Sequence, residues 1–130
     1  MLRRINPTSI MAPVNDAYVH AVLIPSGADV LHISGQIGAD ADGNVPADPA
    51  QQAENAWSNV MEIVREAGME PIHIAKLTAY IVDDAAFAPY AAARNRDLPE
   101  GTRVAATAVY VPRLVKPQWK IEIEAIAARG

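Results

Sequence analysis

The chain has 130 residues, no cysteine and a formal net charge of −4. We expect one domain spanning residues 1–130, because a chain of this length buries a sizeable core without disulfides, and the missing thiols exclude thiolate catalysis and sulfur-ligated zinc. The acidic charge argues against nucleic acid as a partner, and the absence of a long apolar run argues against a membrane span, which leaves a cytoplasmic protein as the expectation.

The first predicted elements are two strands and a long helix. Apolar, β-branched residues at 18–24 and 29–37 flank the turn-forming segment 25–28, a pattern typical of a β-hairpin. Asp48 and Pro49 then predict a helix start, with Gln51 three residues after the cap as in a capping box. The helix is expected to end before Gly68. Polar residues, including Gln52, occupy many of its other positions, and one apolar stripe runs along the helix: Ala53, Trp57, Val60, Val64, Ala67.

The second half predicts a strand at 72–82, a helix at 85–96 and two strands at 103–111 and 119–127. This order indicates an α+β fold with a mixed sheet whose two helices pack on one face. Strand 103–111 has no strongly polar face, and sheets buried on both sides lose their polar alternation. The helix-free face is therefore expected to be covered by other subunits of a homo-oligomer.

Charged residues in the last two strands are the candidates for a functional site. Arg103, Glu122 and Glu124 lie in otherwise apolar segments, and each occupies either a wetted sheet face or a site that offsets its desolvation. For Arg103 the alternative to a ligand clamp is an ordinary ion pair. The three histidines, His20, His32 and His73, are scattered without ligand spacing, so no metal site is expected.

Several motifs together resemble the RidA family, also called the YjgF/YER057c/UK114 family. They cover nearly the whole chain in the family's order: Tyr18 in the segment 17–22, the tetrad 33–36, the helix amides Gln52, Asn55 and Asn59 before Gly68, the run 76–78 with Asp83 and Phe87, Arg103 nine residues before Pro112, and the ending 120–127. The resemblance implies a chorismate-mutase-like fold, a homotrimer with clefts between subunits, and hydrolysis of reactive 2-imino acids such as 2-aminoacrylate to 2-keto acids and ammonium. It implies no cofactor and no metal.

The resemblance also implies roles for individual residues. Arg103 matches the position that clamps the carboxylate of an imino or keto acid, and a guanidinium fork suits that task because it binds a carboxylate through two hydrogen bonds. Glu122 matches the group that orients or deprotonates the attacking water. Tyr18, Ser34 and Ala105 match cleft-lining positions. Ala105 and Ala91 stand where family enzymes often carry cysteine and asparagine, and Asn95 lies one helical turn from Ala91.

The sequence is also compatible with other functions and with other roles for these residues. A trimer that binds small carboxylates without turnover, or that contacts partners like a chaperone, fits the two alanine replacements. An endoribonuclease activity, attached to some relatives, is disfavoured by the acidic charge and the lack of a basic, aromatic-lined groove. The segment 34–36 is equally explained by backbone geometry, since a strand glycine often marks a bulge. Arg94, Arg96, Arg113 and Lys116 are expected to be solvated charges.

Overall fold

The computed structural model describes all residues 1–130 and contains six strands and two helices. Neither helix has the length and apolar content that crossing a membrane requires. The elements are β1 (Arg3–Ile5), β2 (Ala21–Leu23), β3 (Asp29–Ile37), α1 (Pro49–Glu66), β4 (Ile74–Ile81), α2 (Phe87–Asp97), β5 (Ala105–Tyr110) and β6 (Ile121–Arg129).

Helix α1 starts and ends where its sequence signals predict. The Asp48 carboxylate accepts a hydrogen bond from the Ala50 amide at 3.0 Å, and Pro49 occupies the first turn, where its missing N–H costs nothing. Gly68 follows the helix with φ of +73°, the left-handed conformation that glycine adopts without steric penalty. The capping box is wrong, because the Gln51 side chain donates to Asn55 at 2.8 Å.

Four strands form a mixed sheet in the order β3-β6-β4-β5. Strand β6 lies antiparallel to both β3 and β4, and β5 runs parallel to β4. Helix α1 packs on β3 and β6, and α2 packs against α1. The predicted α+β class, with a mixed sheet and two helices, is therefore confirmed.

The predicted hairpin between 18–24 and 29–37 is wrong. The turn does form, with the Ala28 amide bonded to the Pro25 carbonyl at 3.3 Å, but β2 pairs antiparallel with β1, whereas β3 pairs with β6. Strand β1 had no assignment from the sequence. A turn reverses the chain without deciding which strand becomes the neighbour, and here the N-terminal segment provides the ladder for β2.

The core lies between α1 and the sheet. Its largest fully buried side chains include Trp57, as the helical stripe predicts, together with Ile74, Leu77, Ile121 and Ile123 from the central strands. Buried and half-buried residues alternate in β4 from Ala75 to Ile81 and in β6 from Ile121 to Ala127, so one face packs on the helices and the other carries mostly polar side chains.

Gln52 lies outside the predicted apolar stripe of α1 and is nevertheless buried. It is 1% exposed, and its side-chain amide makes three hydrogen bonds to the backbone. Nε2 donates to the carbonyls of Pro46 at 2.8 Å and Gln118 at 3.0 Å, and Oε1 accepts from the Lys120 amide at 2.8 Å. A buried amide is tolerated when its hydrogen bonds are made. Gln52 thereby ties the first turn of α1 to the segment that leads into β6.

Candidate functional site

Tyr18, Arg103 and Ala105 lie together at the outer edge of β5. Val19 forms a parallel bridge with Ala105, and its amide donates to the Val104 carbonyl at 3.0 Å. Tyr18, one residue earlier, is half-buried and its hydroxyl accepts from the Val14 amide at 3.3 Å. The segment before β2 therefore runs beside the start of β5, which brings these predicted site residues into one region.

The Arg103 side chain is anchored but not fully used. Its Nε donates to the Asp16 carbonyl at 2.6 Å and Nη1 to the Thr102 carbonyl at 3.2 Å, while Nη2 lies 3.7 Å from the Asp16 carboxylate. Since a guanidinium has five N–H donors, several remain for a ligand. Arg103 lines a groove of about 290 Å³ together with Asn15, Asp16, Ala17, Arg94, Asn95, Leu98, Pro99, Glu100, Gly101 and Thr102.

Glu122 and Glu124 lie on the same face of β6, the face that is free of helices. They line a pocket of about 430 Å³ with Gly35, Tyr80, Val111, Arg113, Leu114 and Val115. The Tyr80 hydroxyl donates to the Glu124 carboxylate at 2.7 Å, and this bond is the main reason that the pKa of Tyr80 is raised. The bond occupies one oxygen of Glu124, whereas the Glu122 carboxylate in the same pocket has no hydrogen-bond partner.

Gly35 makes room for the Glu122 side chain. A Cβ atom built on Gly35 would stand 2.0 Å from Oε2 of Glu122, so any larger residue would displace that carboxylate. The register between β3 and β6 is interrupted between Ile33 and Gln36, at the predicted bulge. The segment 34–36 thus has a backbone role, and it also sets where the Glu122 carboxylate lies.

Ser34 is exposed and lines a further pocket, of about 280 Å³, on the helix-free face. The other lining residues are His32, Ile33, Lys76, Thr78, Glu124, Ala125 and Ile126. The Lys76 ammonium donates to the Thr107 hydroxyl at 2.7 Å. His, Asp and Glu side chains form no group of three or more that could hold a metal ion.

The predicted site residues form two groups within one chain. Ala105 is opposite Lys76, and Glu122 is opposite Tyr80, so Arg103 and Glu122 lie at opposite ends of β4. At about 3.3 Å per residue, six residue steps separate them by about 20 Å along the strand direction. A small imino acid cannot contact both groups in a single chain, and a site that uses both requires two chains.

Sequence reasoning missed two side chains near these pockets. Arg94 was expected to be solvated, but it is half-buried, lines the Arg103 groove and lies with Cζ 5.4 Å from the ring centroid of Tyr90, four residues earlier on α2. The four-residue spacing of an aromatic and an arginine was the available signal. The pattern at 72–82 predicts no more than a strand for Tyr80, although its two-residue spacing from Thr78 places both side chains on one face.

Comparison with known proteins is consistent with this architecture. The sequence profile of the family described as Endoribonuclease L-PSP matches residues 9–129. The chain is 42% identical over 104 residues to 2-iminobutanoate/2-iminopropanoate deaminase of Escherichia coli K12, a match that covers 78% of this chain and 80% of the deaminase.

Solved structures show the same fold. A protein of unknown function from the conserved Rid family of Yersinia pestis is 33% identical and superimposes with a TM-score of 0.82 over 98% of both chains. Escherichia coli TdcF with bound serine is 31% identical, with a TM-score of 0.69 over 98% of this chain and 100% of TdcF.

Proposed function

Because the chain belongs to the endoribonuclease L-PSP family, also known as the YjgF or RidA family, we propose that it is an imine deaminase. The substrates are reactive 2-imino acids such as 2-aminoacrylate and its imine form, and the products are 2-keto acids and ammonium. The whole chain, residues 1–130, acts as one domain in the cytoplasm, without cofactor or metal. The observation that carries the proposal is Arg103, whose guanidinium has unused donors beside a groove.

In the proposed mechanism Arg103 holds the substrate carboxylate and Glu122 acts on water. The guanidinium donates two parallel hydrogen bonds to the carboxylate and stays charged at any physiological pH. Glu122 accepts a proton as the water oxygen bonds to the C=N carbon, and the imine nitrogen takes up a proton. In the resulting carbinolamine the hydroxyl proton is transferred to the amino nitrogen as the C–N bond breaks and the C=O bond forms, which releases ammonia and leaves the keto acid. Tyr18, Ser34 and Ala105 line the remaining walls of the cleft.

A homotrimer would bring Arg103 of one subunit close to Glu122 of the next. Arg103 and Glu122 lie about 20 Å apart along the strand direction, so the proposed cleft combines Arg103 of one subunit with Glu122 of its neighbour. The helix-free face, with half-buried Thr78, Tyr80, Glu122 and Glu124, provides a surface for subunit contact. A cyclic trimer repeats the same heterologous contact three times.

The test is to generate an imino acid in situ with an amino-acid oxidase and to follow its decay. Wild type should accelerate the decay, and Arg103→Ala should reduce kcat/KM by roughly 30- to 1000-fold, because a charge-assisted double hydrogen bond is lost. Arg65→Ala is the matched control, since Arg65 is exposed on α1 and pairs only with Glu62. No acceleration by wild type, or equal acceleration by Arg103→Ala, would refute the assignment.

A mixing experiment tests whether two chains share the site. Arg103→Ala and Glu122→Gln should each be nearly inactive alone. Co-expressed as random mixed trimers they should regain about a quarter of wild-type activity, because one interface in four then carries both intact residues. Absence of recovery in trimers shown to be mixed would contradict a shared cleft.

A second candidate function is carboxylate binding without turnover. Ala91 and Ala105 stand where deaminases of the family often carry polar residues, and the solved structure of TdcF contains bound serine. Calorimetric binding of keto acids that depends on Arg103, with no turnover across a panel of imines, would favour this alternative. Cleavage of RNA in metal-free buffer that survives Arg103→Ala would instead support a nuclease.

A further inference from the structure

The Arg103 groove contains a second guanidinium, that of Arg94. Arg94 lies on α2, is half-buried, and has Cζ 5.4 Å from the ring centroid of Tyr90. It forms no ion pair within 4 Å, whereas Arg96, two residues later, pairs with both Glu54 and Asp97. Burial raises the pKa of the neutral Tyr90 hydroxyl, and the charge of Arg94 acts on that hydroxyl and opposes the rise only in part. A half-buried cation without an anionic partner is suited to accept one from a ligand.

The carboxylates of Asp16 and Glu100 also line this groove, and their exposure determines how strongly they would repel an anionic ligand. The Asp16 side chain is 83% exposed and Glu100 is exposed, whereas the Arg103 side chain is 36% exposed. Exposed charges interact weakly because water and salt screen them, and partly buried charges interact more strongly. The groove interior is therefore dominated by the two guanidinium groups.

The ring of Tyr90 holds Arg94 in place. Tyr90 is 1% exposed and makes edge contacts with Trp57 and Phe87, so the ring is fixed in the core. An arginine stacked on a fixed aromatic face loses little further freedom when it binds a ligand. Arg94 is accordingly preorganised in the groove that Arg103 also lines.

We propose that Arg94 is a specificity-determining residue that binds a second carboxylate, so that the preferred substrates are 2-imino diacids. This inference rests on the proposed deaminase function and adds the substrate class. Arg103 binds the carboxylate next to the imine, and Arg94 binds the carboxylate at the end of the side chain. The reaction is the addition of water to the C=N carbon and the loss of ammonia, which yields a 2-oxo diacid. Oxidation of an acidic amino acid is the class of reaction that supplies such a substrate.

The experiment compares imines produced in situ from an acidic, a neutral and a basic amino acid by the matching oxidases. For wild type, kcat/KM should be highest for the imino diacid and lowest for the imine with a cationic side chain. Arg94→Met keeps the aliphatic stem on Tyr90 but removes the charge, and it should lower the ratio of kcat/KM for the diacid over the neutral imine by about tenfold or more. Arg94→Lys, which restores a charge, should recover part of that ratio.

Controls separate this inference from the proposed function. Arg65→Met removes an exposed arginine that does not line the groove, and it should match wild type with every imine. An unchanged ratio in Arg94→Met, or a wild-type preference for the cationic imine, overturns the role of Arg94 while leaving the deaminase function standing. If wild type hydrolyses no imine, the deaminase function fails, and calorimetry then decides the inference: 2-oxo diacids should bind Arg94→Met about tenfold or more weakly than wild type, and equal affinities overturn it.

Discussion

Arg4 and Arg103 are joined by a hydrogen bond from Nε of Arg4 to the main-chain carbonyl of Arg103, at 2.5 Å and 99 residues apart in sequence. Strand β1 therefore holds the backbone of the proposed carboxylate clamp. The same guanidinium also lowers the stability of the folded state, because Nη2 of Arg4 is buried without a hydrogen-bond partner. A residue placed in this way affects the geometry of the site more than the stability of the fold.

Replacing Arg4 should therefore weaken substrate binding while changing stability little. In Arg4→Met the Arg103 carbonyl loses its donor, but the unpaired buried N–H is also removed, and the two effects offset each other to within about 1 kcal/mol. KM for the imino acid should rise, and urea unfolding should be nearly unchanged. Arg3→Met, at an exposed neighbouring position of β1, is the control. An unchanged KM in Arg4→Met would show that the tether does not matter.

Gln52 is expected to be important for stability. Gln52→Ala leaves one backbone N–H and two carbonyls without their partner in the interior, which should lower the free energy of unfolding by about 2–4 kcal/mol. Gln51→Ala removes an exposed side chain bonded only to Asn55 and should stay within about 0.5 kcal/mol of wild type. Equal urea midpoints for the two variants would contradict this role of Gln52.

Two strand-end glycines should respond differently to alanine. A Cβ on Gly38 would lie 2.5 Å from the Cα and carbonyl oxygen of Gln52, both backbone atoms of α1, so Gly38→Ala should destabilise the fold by about 2 kcal/mol or more. The three atoms nearest to a Cβ on Gly35 all belong to the flexible Glu122 side chain. Gly35→Ala should therefore reduce imine hydrolysis with a smaller change in stability. The reverse pattern in unfolding and kinetic measurements would argue against the role of Glu122.

Asp97 should contribute stability that depends on pH. Hydrogen bonds from Arg96 are the main cause of the lowered pKa of Asp97, and the buried Trp57 indole also donates to it at 2.7 Å. A carboxyl whose pKa is lower in the folded state stabilises the protein above its unfolded pKa, near 3.9, and loses that contribution as the pH falls through the folded pKa.

Asp97→Asn should thus be less stable than wild type by about 1 kcal/mol at pH 7, with the difference shrinking below about pH 4. Urea unfolding at a series of pH values measures this difference. Asp42→Asn, in an exposed loop, should show no such trend. A difference between wild type and Asp97→Asn that stays constant between pH 7 and pH 3 would show that the charge of Asp97 is not responsible.

Local sequence signals were enough to predict the helices, most of the strands and the family. Asp48, Pro49 and Gly68 mark the ends of α1 through local dihedral and hydrogen-bonding preferences, and the alternation in β4 and β6 separates a core face from a polar face. These signals are readable because their causes lie within a few residues of one another.

The contacts between groups that are distant in sequence became known only from the folded chain. The partner of β2, the burial of Gln52, the position of Arg94 beside Arg103 and the separation of Arg103 from Glu122 all depend on segments that are far apart along the chain. A local pattern shows which face of an element is apolar, but it does not show which strand pairs with it or which backbone groups satisfy a buried amide. Those choices are made by packing between remote segments, because there the hydrogen bonds and buried surface of one element are completed by another.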